Sequence, residues 1–172
     1  MIILLNGPLG IGKSTLAEAL AESIDLCVML DGDCLIAANP PAADEQEHLH
    51  STIELLIAHH QRLGYRHFVI SHYWSSVTEL DDLRRRLLPL DTDRTVRSFL
   101  LTLPLEENLR RIERRQGARA LDEREFELQT VAEEREVLEN GRSGELGEPF
   151  DVSAPPDELV ARMLRLLAPG SR

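Results

Sequence analysis

The residues Gly7-Pro8-Leu9-Gly10-Ile11-Gly12-Lys13-Ser14 follow the pattern G-x-x-x-x-G-K-[ST] of a phosphate-binding P-loop. Glycines in such a loop let backbone N–H groups turn inward and cradle phosphate oxygens. An apolar run, Ile2–Asn6, enters the loop, and a helical pattern, Lys13–Ser23, leaves it. The positive end of that helix therefore adds to the cradle. Lys13 is placed to reach the β- and γ-phosphates of ATP, and the Ser14 hydroxyl to ligate Mg²⁺. The expected nucleotide contacts here are Gly7, Pro8, Leu9, Gly10, Ile11, Gly12, Lys13, Ser14 and Thr15. Lys13 is also the single lysine among the 19 lysines and arginines. A codon-biased genome explains that scarcity but not the position.

A second group follows one strand later. Asp31-Gly32-Asp33 stands at the end of the apolar run Leu26–Asp31. At alternating strand positions the two carboxylates would point the same way. One would hold Mg²⁺ through water while the other accepts a proton from a substrate hydroxyl. The competing reading is a turn in which Asp caps the next helix and Gly supplies the bend. The neighbouring phosphate loop favours catalytic use of at least one aspartate.

Ser71-His72-Tyr73-Trp74 follows the third apolar run, at the expected rim of the site. Trp74, the only tryptophan, suits stacking on a flat acceptor or filling the core equally well. His72 and Tyr73 share that position and that ambiguity. Histidines recur at His48/His50 and His59/His60, without the spacing of a zinc site and a third ligand. Cys27 and Cys34 show neither metal spacing nor a disulfide framework, which fits a reducing cytoplasm.

These groups need a scaffold, and the hydrophobic pattern supplies one. Short apolar runs at Ile2–Asn6, Leu26–Asp31, His67–Ser71, Ser98–Leu103 and, weakly, Phe150–Ser153 read as strands. Most are continuously apolar, as in parallel strands covered on both faces. Helical patterns lie between them. Lys13–Ser23 carries Leu16, Ala17, Leu20 and Ile24 on one face, and Glu45–Leu63 carries Ile53, Leu56, Ile57 and His60. Val77–Leu88 carries Leu80, Leu83, Leu87 and Leu88. Leu105–Gln116 and Arg124–Asn140 are charged helices, and Asp157–Leu167 is the last. In that charged pair, Glu106/Arg110 and Glu107/Arg111 have the spacing of ion pairs along a solvated face. The expected fold is α/β, a five-stranded parallel sheet flanked by helices, with its ligands at the carboxyl ends of the strands.

At 172 residues the chain is expected to form one domain over 1–172. Its net charge of −11 argues against nucleic acid or an anionic membrane as partner. Its longest apolar run, Met1–Leu5, is far too short to cross a bilayer.

The P-loop, the strand ending Leu30-Asp31-Gly32-Asp33 and the Arg-rich helix pair near residue 115 together resemble the small P-loop kinases. The pattern is similar to the shikimate kinase-like and gluconate kinase-like group, with tunicamycin-resistance-type phosphotransferases nearby. The resemblance implies that Asp31 is the Mg²⁺-water ligand and Asp33 the substrate-orienting base. It implies that Arg111 and Arg114 pack on the adenine, with Ala154–Pro155 bordering it. It also implies a short mobile lid over about 117–123, from which Arg119 reaches the transferring phosphate and for which Gly117 is a plausible hinge. Shikimate kinases carry a glycine triplet where this chain has Ser71-His72-Tyr73-Trp74. They grip a carboxylate with an arginine where it has Glu45, Glu47, His48 and His50. Both departures point away from shikimate.

The expected activity is Mg²⁺-dependent transfer of the ATP γ-phosphate to a hydroxyl of a small molecule. Lys13, Asp33 and Arg119 would be the catalytic residues, and Asp33, His48, His72, Tyr73 and Trp74 would face the acceptor. A resistance-type kinase acting on a drug or natural product is one variant of this reading. A nucleotide-binding switch without an acceptor is the alternative from another class. The expected partners are ATP and a small hydroxylated substrate, and the chain is expected to act as a monomer or homodimer.

Overall fold

The computed structural model describes residues 1–91, 95–115, 121–140 and 144–168. Five strands form its sheet: β1 (Ile2–Asn6), β2 (Cys27–Asp31), β3 (His67–Ser71), β4 (Val96–Thr102) and β5 (Glu148–Asp151). Their order is β2-β3-β1-β4-β5, and every pairing is parallel. Parallel neighbours need crossovers, which the helices supply. These are α1 (Lys13–Ser23), α2 (Gly32–Leu35), α3 (Glu45–Arg62), α4 (Val77–Leu87), α5 (Leu105–Arg115), α6 (Leu121–Asn140) and α7 (Pro156–Leu167).

The central strand β1 is buried along its whole length, which explains why its sequence is continuously apolar. Its side chains alternate between two cores. Ile3 and Leu5 join Leu16 and Leu20 of α1 and Leu159 and Met163 of α7. Ile2 and Leu4 face the other way, onto Ile53 and Ile57 of α3 and Leu80, Leu83 and Leu87 of α4. Each fully buried leucine or isoleucine contributes about 1.5–3 kcal/mol.

Local signals fix where the helices start. Asp44 caps α3 by accepting from Glu47 N–H at 2.9 Å. Ser76 and Glu79 close a reciprocal capping box on α4. Helix α1 starts differently: Gly12 precedes it and no side chain caps it. Its first N–H groups are thus left without intrahelical partners, as an anion-binding terminus requires.

Several expectations shift in detail. Helix α2 falls immediately after β2, so Asp33 lies in a helical turn rather than on a strand. On α3 the buried face is Leu49, His50, Ile53 and Ile57, while Leu56 and His60 are only partly covered. Leu88, placed inward by the periodicity of α4, is 44% exposed because the helix ends at Leu87. Trp74 is 1% exposed and packs in the core beside Leu80 and Leu83.

Candidate active site

The phosphate loop is anchored at its base by one residue. Asn6, the last of β1, is fully buried. Its Oδ1 accepts from Gly7 N–H at 2.8 Å and Trp74 N–H at 3.0 Å. Its Nδ2 donates to the Trp74 carbonyl at 3.1 Å and the Leu146 carbonyl at 3.3 Å. All four of its hydrogen-bonding sites are used, so the loop start is pinned to the segment after β3 and to the loop before β5.

Helix α5 supports the loop from behind. Asn108 Nδ2 donates to the Leu9 carbonyl at 3.0 Å, and Arg111 Nη1 to the Ile11 carbonyl at 3.1 Å. Ile112 lies so close to Gly10 that a Cβ there would overlap it, and Gly10 has φ 73°. Only glycine satisfies both the contact and that left-handed backbone. Lys13 is 8% exposed. Its Nζ donates to the Gly7 carbonyl at 2.8 Å and the Pro8 carbonyl at 3.2 Å, folded back along the loop.

The aspartates meet this loop at its open side. Ser14 Oγ donates to Asp31 Oδ2 at 2.7 Å. The other Asp31 oxygen accepts from Asp33 N–H at 3.0 Å, capping α2. The capping expected of the turn reading is thus made by Asp31, whose other oxygen meets Ser14. Asp33 Oδ1 lies 2.8 Å from His72 Nδ1. Gly32 makes that pair possible, because a Cβ there would stand 2.7 Å from the His72 Cβ and ring. The His72 hydrogen bond lowers the Asp33 pKa; burial opposes it, and the charges of His72 and Lys13 reinforce it. Asp33 is thus held as a carboxylate. Tyr73, half-buried near Glu134 and Glu79, has its phenol pushed up to about 12, first by burial.

One participant had no signal in the sequence. Glu134 of α6 places Oε2 2.6 Å from Leu9 N–H, on the phosphate loop itself. Burial raises its pKa, the Leu9 hydrogen bond and Lys13 oppose this, and Asp33 adds to it. It stands in the charged run Glu133–Glu136, so nothing marked it out from a solvated helix face.

Two cavities open on either side. A volume of about 470 Å³ is walled by Gly12, Thr15, Arg111, Arg114, Ala154 and Pro155, among others. These come from the loop, α5 and the segment after β5. Arg111 departs from its expected ion pair: its Nη2 donates to the Val152 carbonyl at 2.7 Å, tying α5 to that segment. Arg110 instead pairs with Glu106 at 3.6 Å and Glu107 at 3.1 Å.

The smaller cavity, about 100 Å³, is lined by Glu45, Gln46, His50, His72, Trp74 and Glu79, with two apolar residues, and His72 links it to Asp33. His50, not His48, belongs to its wall; His48 sits two residues earlier on α3, half-exposed. Tyr73 does not line it. Gly117 and Arg119, with most of the expected lid, lie outside the described residues.

A parallel sheet with a G-x-x-x-x-G-K-[ST] loop between its central strand and the next helix defines a P-loop α/β protein. The chain belongs to the AAA domain family, whose model matches residues 3–136. Solved structures with the same fold include a tunicamycin resistance protein from Deinococcus radiodurans. It has TM-score 0.66 and 20% identity, over 97% of this chain and 95% of that one. A gluconokinase from Sinorhizobium meliloti 1021 gives TM-score 0.65 and 21% identity, over 99% and 97%. A shikimate kinase from Aquifex aeolicus gives TM-score 0.61 and 19% identity, over 97% and 96%. These similarities bear out the fold expected from the sequence. No protein with a curated description matches the chain. Among the described residues, no helix is long and apolar enough to cross a membrane.

Proposed function

We propose that this protein is a small-molecule kinase, transferring the γ-phosphoryl group of ATP to an acceptor hydroxyl. The observation that carries the reading is the position of Asp33. It is influenced by the charge of Lys13 of the phosphate loop and bonded to His72, a wall residue of the smaller cavity. A protein that only bound or hydrolysed nucleotide would not need a carboxylate tied to the wall of a second pocket.

On this reading the larger cavity takes the nucleoside, with Arg111 and Arg114 beside the base and Ala154–Pro155 bordering it. The amides of the loop and the start of α1 receive the phosphates, and Lys13 swings from the loop carbonyls toward them. Ser14 and Asp31 offer hard oxygen donors 2.7 Å apart. That pair fits the way Mg²⁺ is held, by few protein oxygens plus phosphates and water. When bound, Mg²⁺ neutralises charge on the β- and γ-oxygens.

Asp33 accepts a hydrogen bond from the acceptor hydroxyl and aims its oxygen in line with the phosphorus. A loose transition state demands orientation more than early proton removal, so a carboxylate of lowered pKa suffices. Arg119, if brought over by closure of the lid, would supply positive charge to the moving phosphoryl group.

The test is incubation with Mg-ATP and a pool of hydroxylated metabolites and antibiotics, read by mass spectrometry for a gain of one phosphate. Asp33→Asn is expected to lower transfer by roughly 10²-fold or more while nucleotide affinity holds, in line with the loss of one positioned acid–base group. Unchanged transfer in that variant would remove Asp33 from its assigned role.

A further inference from the structure

The smaller cavity carries information about what the acceptor is. Two buried polar atoms in its wall residues have no partner: His50 Nε2 and Trp74 Nε1. The residues are 0% and 1% exposed, so neither atom is satisfied by solvent. Buried polar groups are normally paired, and a donor or acceptor left unsatisfied costs about 1–3 kcal/mol. Both orphaned atoms belong to residues that line the same cavity, so a ligand there has two unspent polar groups within its wall residues.

Their chemistry can be assigned. The indole N–H only donates. His50 Nδ1 lies 2.9 Å from Asp82 Oδ2, and a carboxylate only accepts, so Nδ1 carries the proton. In neutral His50 the bare nitrogen is then Nε2, an acceptor. Asp82 is itself fixed by Arg86 Nε at 2.9 Å, so the imidazole is held in orientation. One donor and one acceptor together match hydroxyl groups, each of which can serve as either.

Charge narrows the class further. The cavity wall holds the carboxylates of Glu45 and Glu79, and Asp33 adjoins it through His72. Glu79 spends one oxygen on Ser75 and Ser76, yet keeps its charge. Among the described residues, no lysine or arginine lines the cavity. Among the described residues, the nearby arginines of α4 and α6 are engaged elsewhere. Arg86 bridges Glu47 and Asp82, and Arg84 binds Asp81, Ser98 and the Glu145 carbonyl. Arg135, beside Glu134, gives Nη1 to the Leu103 carbonyl. A carboxylate or phosphate placed here would meet Glu45 and Glu79 and, among the described residues, no lysine or arginine, while the imidazoles of His50 and His72 are already held by Asp82 and Asp33, which disfavours it.

We infer that the Trp74–His50 cavity is the acceptor pocket, and that its ligand is a hydroxylated molecule without an anionic group, neutral or amino-bearing. The inference rests on the kinase reading for the word acceptor, but the class of ligand is tested separately.

The protein, loaded with Mg-ADP, is offered three pools: sugars and polyols, amino sugars and aminocyclitols, and sugar acids and cyclitol acids. Affinity selection with mass spectrometry reads which compounds are retained, and a parallel run with Mg-ATP reads phosphate gain. Retention is expected from the first two pools. It should fall at least about tenfold in Trp74→Phe, which keeps an aromatic ring without the N–H, and in His50→Asn, which keeps a donor toward Asp82. Circular dichroism and a melting curve confirm that both variants are folded. Retention chiefly from the acid pool, no retention at all, or retention indifferent to both variants would overturn the assignment. Retention of a non-acidic compound without phosphate gain would uphold the class and sink the kinase reading. Phosphorylation of acids alone would do the reverse.

Discussion

Glu134→Gln tests how the phosphate loop is held before nucleotide arrives. Glu134 gives Leu9 N–H an anionic partner at 2.6 Å, on a loop whose amides are built for phosphate. ATP must displace that carboxylate or bind beside it. Displacement gives up a charge-assisted hydrogen bond of about 1.5–3 kcal/mol, against about 0.5–1.5 kcal/mol for the neutral bond of a glutamine. Repulsion between a carboxylate and a phosphate charge about 6 Å apart adds about 3 kcal/mol at an effective dielectric of about 20. Part of that is lost when the side chain swings away, leaving a net of about 1.5–3 kcal/mol. The variant should therefore bind ATP about tenfold to a hundredfold more tightly.

Calorimetry with a non-hydrolysable analogue at pH 7 and low salt measures this directly. The pH dependence supplies a second reading. The folded-state pKa of Glu134 is raised, so the stability it contributes falls as pH rises from its unfolded value through the folded one. The affinity gap between wild type and variant should accordingly narrow in acid, where wild-type Glu134 takes up a proton. Unchanged or weaker ATP binding by Glu134→Gln would refute the reasoning.

Further expectations follow from single contacts. Gly32→Ala pushes a methyl into the His72 ring at 2.7 Å, and should cost about 1–3 kcal/mol in urea unfolding while breaking the Asp33–His72 pair. Asp33, with its lowered pKa, contributes stability above its unfolded value of about 3.9, lost as pH falls through the depressed one. His72→Asn should bring the Asp33 titration back toward that ordinary value by carboxyl NMR, an effect kept modest because the Asp33 side chain is 61% exposed. Asp31→Asn should shrink the gain in ATP affinity that Mg²⁺ confers by about tenfold while leaving metal-free binding intact, by calorimetry with and without the metal. Leu83→Ala, at a fully buried site, should lose about 2–5 kcal/mol and leave the nucleotide affinity of the folded protein unchanged.

What the sequence made legible follows from how local each signal is. The loop and its lysine are contiguous, and β1 is buried on both faces, so its unbroken apolar run reads directly. Asp33 was legible as a residue but not as a position, because Gly32 turns the chain into α2 immediately after β2. His50 was readable in principle: it lies three and seven residues before Ile53 and Ile57, the inward positions of α3. Trp74 is both core and cavity wall, so the two readings of it were not exclusive. Asn6, Asn108 and Glu134 were out of reach. Their partners Trp74, Leu9 and Leu9 lie 68, 99 and 125 residues away, and only the packed sheet brings such groups together. Arg111 shows the same limit, since its spacing to Glu107 fits an ion pair while its guanidinium binds the carbonyls of Ile11 and Val152.

The most direct test is to follow the γ-phosphoryl group itself. ATP labelled there with heavy oxygen is incubated with Mg²⁺, the protein and the pooled acceptors, and the label is traced by mass spectrometry. Small-molecule transfer predicts the label in an organic phosphate, formed by the wild type and absent with Lys13→Ala. Label found only in inorganic phosphate, or left in ATP that the protein demonstrably binds, would contradict it.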